Sequence, residues 1–207
     1  MKKLLFIALG SIALSAMVFA KETVQNLDFS IPIDNRELDF DDDIGKITEK
    51  STSFDFDYSM MTINESGFSF IFGANIGYTS TNFEKMDDPF EGLDLGMKLG
   101  WGGVPLNMKN FVLGFHGFFG FGFRTLNKSE SSVDAKLTVF NTKIGADLIA
   151  IYRFNDRVGV NASVDLFTNL PAFGALDVDA PGGSGNHAFA CMGGIGVVPK
   201  VGVSLFF

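Results

Sequence analysis

The sequence predicts an all-β fold, an eight-stranded antiparallel up-and-down transmembrane β-barrel. Three observations carry this. Apolar and polar residues alternate with period two in segment after segment. The polar phase is dominated by Gly. The chain holds 24 Phe and 24 Gly among 207 residues, and beyond its N-terminus has no apolar run long enough to cross a membrane as a helix. Period two places every second side chain on one face of a strand. In a soluble sandwich the second face would be rich in charged and hydroxyl side chains. Gly suits the crowded inside of a narrow barrel better, because strands curve there and side chains meet across the axis.

The first segment is read as a targeting signal. Lys2 and Lys3 precede an apolar run from Leu4 to Val18, and Val18-Phe19-Ala20 offers a cleavage site before charge resumes at Lys21. That is the three-part pattern of a secretory signal peptide. The run of about 15 apolar residues falls short of the roughly 20 that a spanning helix needs. Residues 1–20 are therefore assigned to the signal and 21–207 to the barrel domain. Losing Lys2 and Lys3 moves the formal charge from −8 to −10. This acidic balance argues against nucleic acid, whose phosphates need Lys and Arg. Cys191 is the single cysteine. It excludes an intrachain disulfide and reads as a small apolar filler.

The strands follow in order. Leu27 to Ile33 is a candidate first strand. Phe54, Phe56, Tyr58 and Met60 alternate with Ser53, Asp55, Asp57 and Ser59. After Asn64-Glu65-Ser66-Gly67 come Phe68, Phe70, Phe72, Ala74, Ile76 and Tyr78, against Ser69, Gly73, Asn75 and Gly77. Leu93 to Trp101 alternates with Asp94, Gly96, Lys98 and Gly100. Phe111 to Phe123 alternates with His116, Gly120, Gly122 and Arg124. Phe140 to Tyr152 alternates with Asn141, Lys143, Gly145 and Asp147. Val158 to Leu166 alternates with Gly159, Asn161, Ser163 and Asp165. Such segments match the roughly 9–11 residues that a tilted strand needs to cross a bilayer. Tyr78, Trp101, Tyr152 and Phe154 sit at strand ends, where interfacial girdles belong.

The last segment, Lys200-Val-Gly-Val-Ser-Leu-Phe-Phe207, resembles the terminal strand of bacterial outer-membrane barrels, which alternates and stops on an aromatic. The whole chain resembles small barrels of the OmpX, OmpW and OmpA-domain type, and its Phe-rich style looks like treponemal barrels. The resemblance implies a location in a bacterial outer membrane, with the lipid and the barrel-assembly machinery as partners. It also makes Val203, Leu205 and Phe207 the assembly signal.

An even strand number is the rule for such barrels. It is reached by keeping the first candidate and reading 186–207 as one strand. The turns at 64–67, 103–109 and 155–157 then lie on the side of both termini. The long connections near 34–51, 80–91, 125–135 and 169–186 face outward. Pro32 and Pro199 are the weak points, since each lacks a ladder donor.

Function is less legible. The lumen phase collects Asp55, Asp57, Asp94, Lys98, His116, Arg124, Lys143, Asp147 and Asp165, expected to pair in a network that plugs the bore. No catalytic, cofactor or metal motif is present. Ser184, His187 and Asp179 are close enough in sequence to suggest a lipid-modifying site, but their Gly-rich setting favours a plain loop. The acidic stretch from Asp34 to Asp43 lacks the spacing of a calcium loop and reads as a solvated loop. The expectation is a monomeric, non-enzymatic scaffold whose loops meet an extracellular ligand. The alternatives are a small pore or apolar-molecule conduit, and a lipid-modifying enzyme.

Overall fold

In the computed structural model, the described residues are 20–40, 45–84, 88–130, 133–181 and 183–207. Residues 1–19 of the segment 1–20 read as a signal lie outside them, as does the Cys191 side chain. The strands are β1 (Glu22–Ser30), β2 (Ile33–Phe40), β3 (Gly45–Ile63), β4 (Phe68–Phe83), β5 (Phe90–Asn107), β6 (Phe111–Glu130), β7 (Val133–Arg153), β8 (Val158–Ala180) and β9 (Gly183–Phe206). All neighbours pair antiparallel, and β9 closes the sheet against β1 and β2.

Among the described residues the strand count is nine, where eight was expected, and Pro32 is the reason. Both β1 and β2 lie between β3 and β9. Ser30 pairs with Asp55 and Lys200, and three residues later Ile33 pairs with Thr52 and Val197. The register thus runs through Ile31-Pro32 without a slip. Pro32 offers no N–H to the ladder, so one stave of the wall is divided into two strands. Its carbonyl still accepts from Ser53 N at 2.9 Å, and Ile31 N donates to Pro199 O at 3.2 Å. The wall has eight positions around its circumference, and β9 crosses Pro199 unbroken.

The second correction concerns height. The expected outward loops at 34–51, 80–91, 125–135 and 169–186 are mostly strand. The 24 residues of β9, at about 3.3 Å each and a tilt of about 40°, rise about 60 Å. The apolar band of such barrels is about 25 Å tall. On the β8–β9 side more than half the wall therefore stands clear of the hydrocarbon, whereas the 16 residues of β4 rise about 40 Å and clear it by less. Along the band the outer face is apolar, with Phe54, Phe56, Ile76, Leu95, Phe115, Phe121, Ile144, Leu148, Leu166 and Val201 all exposed. Trp101, Tyr152 and Phe154 mark its lower edge beside the short turns. Tyr78 marks the upper edge, its Oη donating to Glu91 at 2.8 Å.

Above the band the apolar face turns inward. Leu38, Ile47, Phe83, Phe90, Leu126, Leu137, Val139 and Phe189 form one buried cluster, flanked by Leu176, so that all eight wall positions contribute. Below, Val24, Met61, Ile63, Val104, Val112, Ile149, Ile151 and Phe206 form a second cluster at the end that carries the termini. Paired irregularities re-aim the wall near the upper transition. The β7–β8 register shifts between Phe140 and Thr142, and the β2–β9 register shifts beside Gly193, whose φ of 121° suits glycine.

Candidate functional site

The candidate site is the lumen between the two apolar clusters. Period two delivers its side chains, and cross-strand glycines make room for them. Lys98 lies over Gly73, Lys143 over Gly120, Asn141 over Gly122 and Asp55 over Gly77, each pair directly opposed in the ladder. A Cβ on Gly77 would fall on the Asp55 carboxylate, and one on Gly73 would lie 3.0 Å from Lys98 Cγ. Phe167 is flanked in the same way by Gly145 and Gly196. The Gly-rich phase is thus the space that the large lumenal side chains occupy.

Three tiers of contacts fill this space. In the upper tier, Arg124 bridges Asp94 (2.6 Å) and Glu49 (2.9 Å), while Arg36 bridges Asp34 (2.6 Å) and Glu49 (3.4 Å). Ser51 donates to Glu49 at 2.7 Å. In the middle tier, Lys98 Nζ lies 2.6 Å from Asp147 and 2.9 Å from Asp165, and Lys200 Nζ lies 3.0 Å from Asp165 and 2.9 Å from Asp57. Ser30 adds a hydrogen bond to Asp57, and Asn75 donates to Asp55 at 2.6 Å. Lys143 lies over the Phe167 ring at 4.9 Å and Lys98 over Phe118 at 5.2 Å. In the lower tier, Asn26, Ser59, Asn161 and Ser204 are joined by hydrogen bonds of 2.7–3.1 Å.

The structure therefore brings together every lumen residue expected from the sequence: Asp55, Asp57, Asp94, Lys98, His116, Arg124, Lys143, Asp147 and Asp165. It adds Asp28, Asp34, Arg36, Glu49 and Lys200, all buried. Asp34 was expected in a solvated acidic loop. It is instead a buried partner of Arg36, because the stave continues in phase past Pro32. Asp28 and Lys200 could have been found by extending the same phase across Pro32 and Pro199.

Ser69, His116 and Asp147 form a line that sequence spacing gave no means of finding. His116 Nδ1 is 3.3 Å from Asp147 Oδ1, and His116 Nε2 is 2.6 Å from Ser69 Oγ. An ionised Asp147 can only accept, so Nδ1 carries a proton, and in the neutral ring Nε2 accepts from the Ser69 hydroxyl. This is the order of a nucleophile, a base and an orienting acid. Three features oppose that chemistry. Ser69 is 1% exposed, His116 0% and Asp147 2%. Lys98 already neutralises Asp147. The mid-lumen cavity has a volume of about 30 Å³, enough for one or two waters, and it is lined by Asp55, Lys143 and Lys200 but not by Ser69 or His116. A scissile carbonyl has no room beside Oγ.

The other sequence candidate fails on geometry. Asp179 and Ser184 are directly paired on β8 and β9, and both are exposed. His187 shares the inward phase of buried Phe189, so it points to the opposite face. Among the described residues, no group of three His, Cys, Asp or Glu is set to hold a metal ion. At the closing seam Val203, Leu205 and Phe207 face outward. Phe207 N donates to Thr23 O at 2.9 Å, and Thr23 N donates to Phe207 O at 3.1 Å.

No known family model matches the chain, and no curated sequence is similar to it. Solved structures similar to it include bacterial outer-membrane proteins. The outer membrane protein OprG from Pseudomonas aeruginosa shares 12% identity over 91% of this chain and 96% of its own, with a TM-score of 0.60. The outer membrane protease OmpT from Escherichia coli shares 9% over 90% of this chain and 96% of its own, with a TM-score of 0.46. The chain has the fold of a small bacterial outer-membrane β-barrel. With an apolar belt around its wall, that fold is built for the outer membrane.

Proposed function

We propose that this barrel is a closed, non-enzymatic scaffold that holds its outer hairpins clear of the membrane for contact with surface molecules. The carrying observation is the packing of the bore. Buried ion pairs in the middle are sealed by eight-residue apolar clusters above and below. An eight-stranded barrel has an interior just wide enough for side chains to fill, and here apolar side chains occupy both ends. Ion passage would require breaking the Lys98 and Lys200 bridges and displacing an apolar layer at each end. The tall wall supports the rest of the reading, since a framework rising about 60 Å positions its tips rigidly. Assembly is assigned to the usual outer-membrane machinery acting on the strand with Val203, Leu205 and Phe207, and the folded protein is read as a monomer.

Planar-bilayer recording tests this reading. The purified protein should insert without steady conductance. Ohmic single-insertion steps would overturn it in favour of a pore. The enzymatic reading has one observation in its favour, the line of Ser69, His116 and Asp147. Hydrolysis of a chromogenic acyl ester that is lost in Ser69→Ala would establish it against the burial argument.

A further inference from the structure

The mouth on the side of the short turns is braced by one guanidinium. Arg153, the last residue of β7, places Nη1 2.7 Å and Nη2 3.0 Å from the two carboxylate oxygens of Glu22. Nη2 also donates to Asn107 Oδ1 at 2.8 Å, and Asn107 Nδ2 donates to Glu22 at 3.1 Å. Arg153 Cζ lies 4.1 Å from the centre of the Phe206 ring, which belongs to the lower apolar cluster. Glu22 opens β1, Asn107 ends β5 and Phe206 ends β9. Four of the eight wall positions thus meet at one side chain, and the contact crosses the seam where β9 closes on β1. The Arg153 and Glu22 side chains are only 12% and 18% exposed, with an open vestibule of about 460 Å³ beyond them.

Topology decides what this brace can do. Pairing between β1 and β9 runs from Val24–Phe206 to Ser30–Lys200. At its upper end β1 continues through Ile31-Pro32 into β2, which is itself paired with β3 and β9. β1 can therefore peel from the wall only from its lower end, where strand ends open most readily, and Glu22 is the residue there. Glu22 and Arg153 are 131 positions apart in sequence, so their contact forms only when the wall closes on itself. The hairpins that place Asn107 and Arg153 are local, and Arg153 N donates to Asn110 O at 2.9 Å across the β5–β6 turn. The anchor side thus exists before closure. A contact made only after the transition state slows opening and leaves the closing rate alone. A bidentate pair between Arg and a carboxylate is among the stronger polar contacts available for this.

We propose that the Glu22–Arg153–Asn107 brace is the lock of the barrel seam, which sets how slowly the closed wall opens and takes no part in how fast it closes. The inference is independent of what the outer hairpins contact and of whether the bore conducts.

Unfolding and refolding rates in urea, read by gel mobility of the protein in lipid vesicles, test it. Arg153→Met keeps an apolar stem over Phe206 and removes the charge and the fork. It should open at least about fivefold faster than wild type and refold within about twofold of the wild-type rate. Glu22→Gln should act in the same direction. The double variant should open no faster than Arg153→Met alone, because both substitutions break one contact. A disulfide across the seam locates the effect. Gln25 and Leu205 are directly paired on β1 and β9. In a Cys191→Ala background, the oxidised Gln25→Cys/Leu205→Cys pair should bring the chains with and without Arg153→Met to the same opening rate. Wild-type opening in Arg153→Met, a refolding rate that falls in its place, or a difference that persists once the seam is cross-linked would overturn the proposal.

Discussion

Replacing Lys98 with Met is the sharpest test of the sealed lumen. The thioether keeps most of the stem volume over Gly73 and removes only the charge. Lys98 Nζ is 2.6 Å from Asp147 and 2.9 Å from Asp165, with all three side chains buried. Removing one partner of a buried ion pair costs about 3–5 kcal/mol, because a carboxylate stays desolvated without its cation. Two carboxylates are affected here, but neither is left alone. Asp165 keeps Lys200 at 3.0 Å, and Asp147 keeps His116 at 3.3 Å. The expected loss is therefore a single penalty of about 3–5 kcal/mol, not two. Urea unfolding in lipid vesicles, followed by Trp101 fluorescence and gel mobility, measures it. Adding Asp147→Asn should recover a large part of the loss, since Asp165 keeps Lys200 and no carboxylate of the cluster then stands without a cation. The exposed Lys46–Glu37 pair provides the control, and Lys46→Met should be indistinguishable from wild type. A loss under about 1 kcal/mol for Lys98→Met, as at a solvated pair, would mean that water reaches the middle tier, and the sealed reading would fail.

Further outcomes follow from the same geometry. Gly202→Ala should destabilise strongly, since a Cβ there would lie 2.1 Å from the Leu27 carbonyl oxygen, whereas Gly117→Ala, with its nearest atom at 4.0 Å, should unfold at wild-type urea concentration. Phe119→Arg should cost about 2–4 kcal/mol if that position meets the bilayer midplane, and tolerance equal to Lys128→Arg would remove the lipid-facing assignment. Ser129→Cys should react with an impermeant maleimide on intact cells and Ser66→Cys should not; the opposite pattern would invert the topology. Deleting Phe207 should lower the amount of folded barrel in the outer membrane, and normal levels would take the assembly role away from that residue.

The sequence was legible where the wall faces lipid and illegible where it faces water. Between Leu93 and Trp101 the outer residues are apolar and the inner ones are Gly, Asp or Lys, so period two stands out. Past Tyr78, Phe123 and Phe140 the requirement reverses. Outer residues such as Glu37, Lys46 and Asp177 become polar, and inner ones such as Leu38, Leu126 and Leu137 become apolar. The period survives, but its sign changes, and short mixed stretches rich in Asp, Ser and Gly then read as loops. The upper arginine tier was only half visible for the same reason. Arg124 shares a strand with lipid-facing Phe123 and was placed in the lumen. Arg36 and Glu49 sit among outward polar residues, and no apolar neighbour gave their phase. The Ser69–His116–Asp147 line joins three different strands, so its register, unlike its periodicity, could come only from the closed wall.

The sign change also bears on stability. A barrel confined to the membrane needs only a lipid-facing exterior. One that rises about 60 Å needs a second source of stability for its upper half, which is surrounded by water. The cluster of Leu38, Ile47, Phe83, Phe90, Leu126, Leu137, Val139 and Phe189 supplies it, because burying each such side chain contributes about 1.5–3 kcal/mol. The residues that hold the outer hairpins upright are thus the residues that seal the bore. Truncating one of them should weaken both properties together. Phe189→Ala leaves a cavity in the cap and should cost about 3–5 kcal/mol. The same variant should be the first to show transient conductance in planar bilayers. If Phe189→Ala is destabilised yet remains electrically silent, the charged tiers and the lower cluster close the lumen without the cap, which then serves only to support the wall.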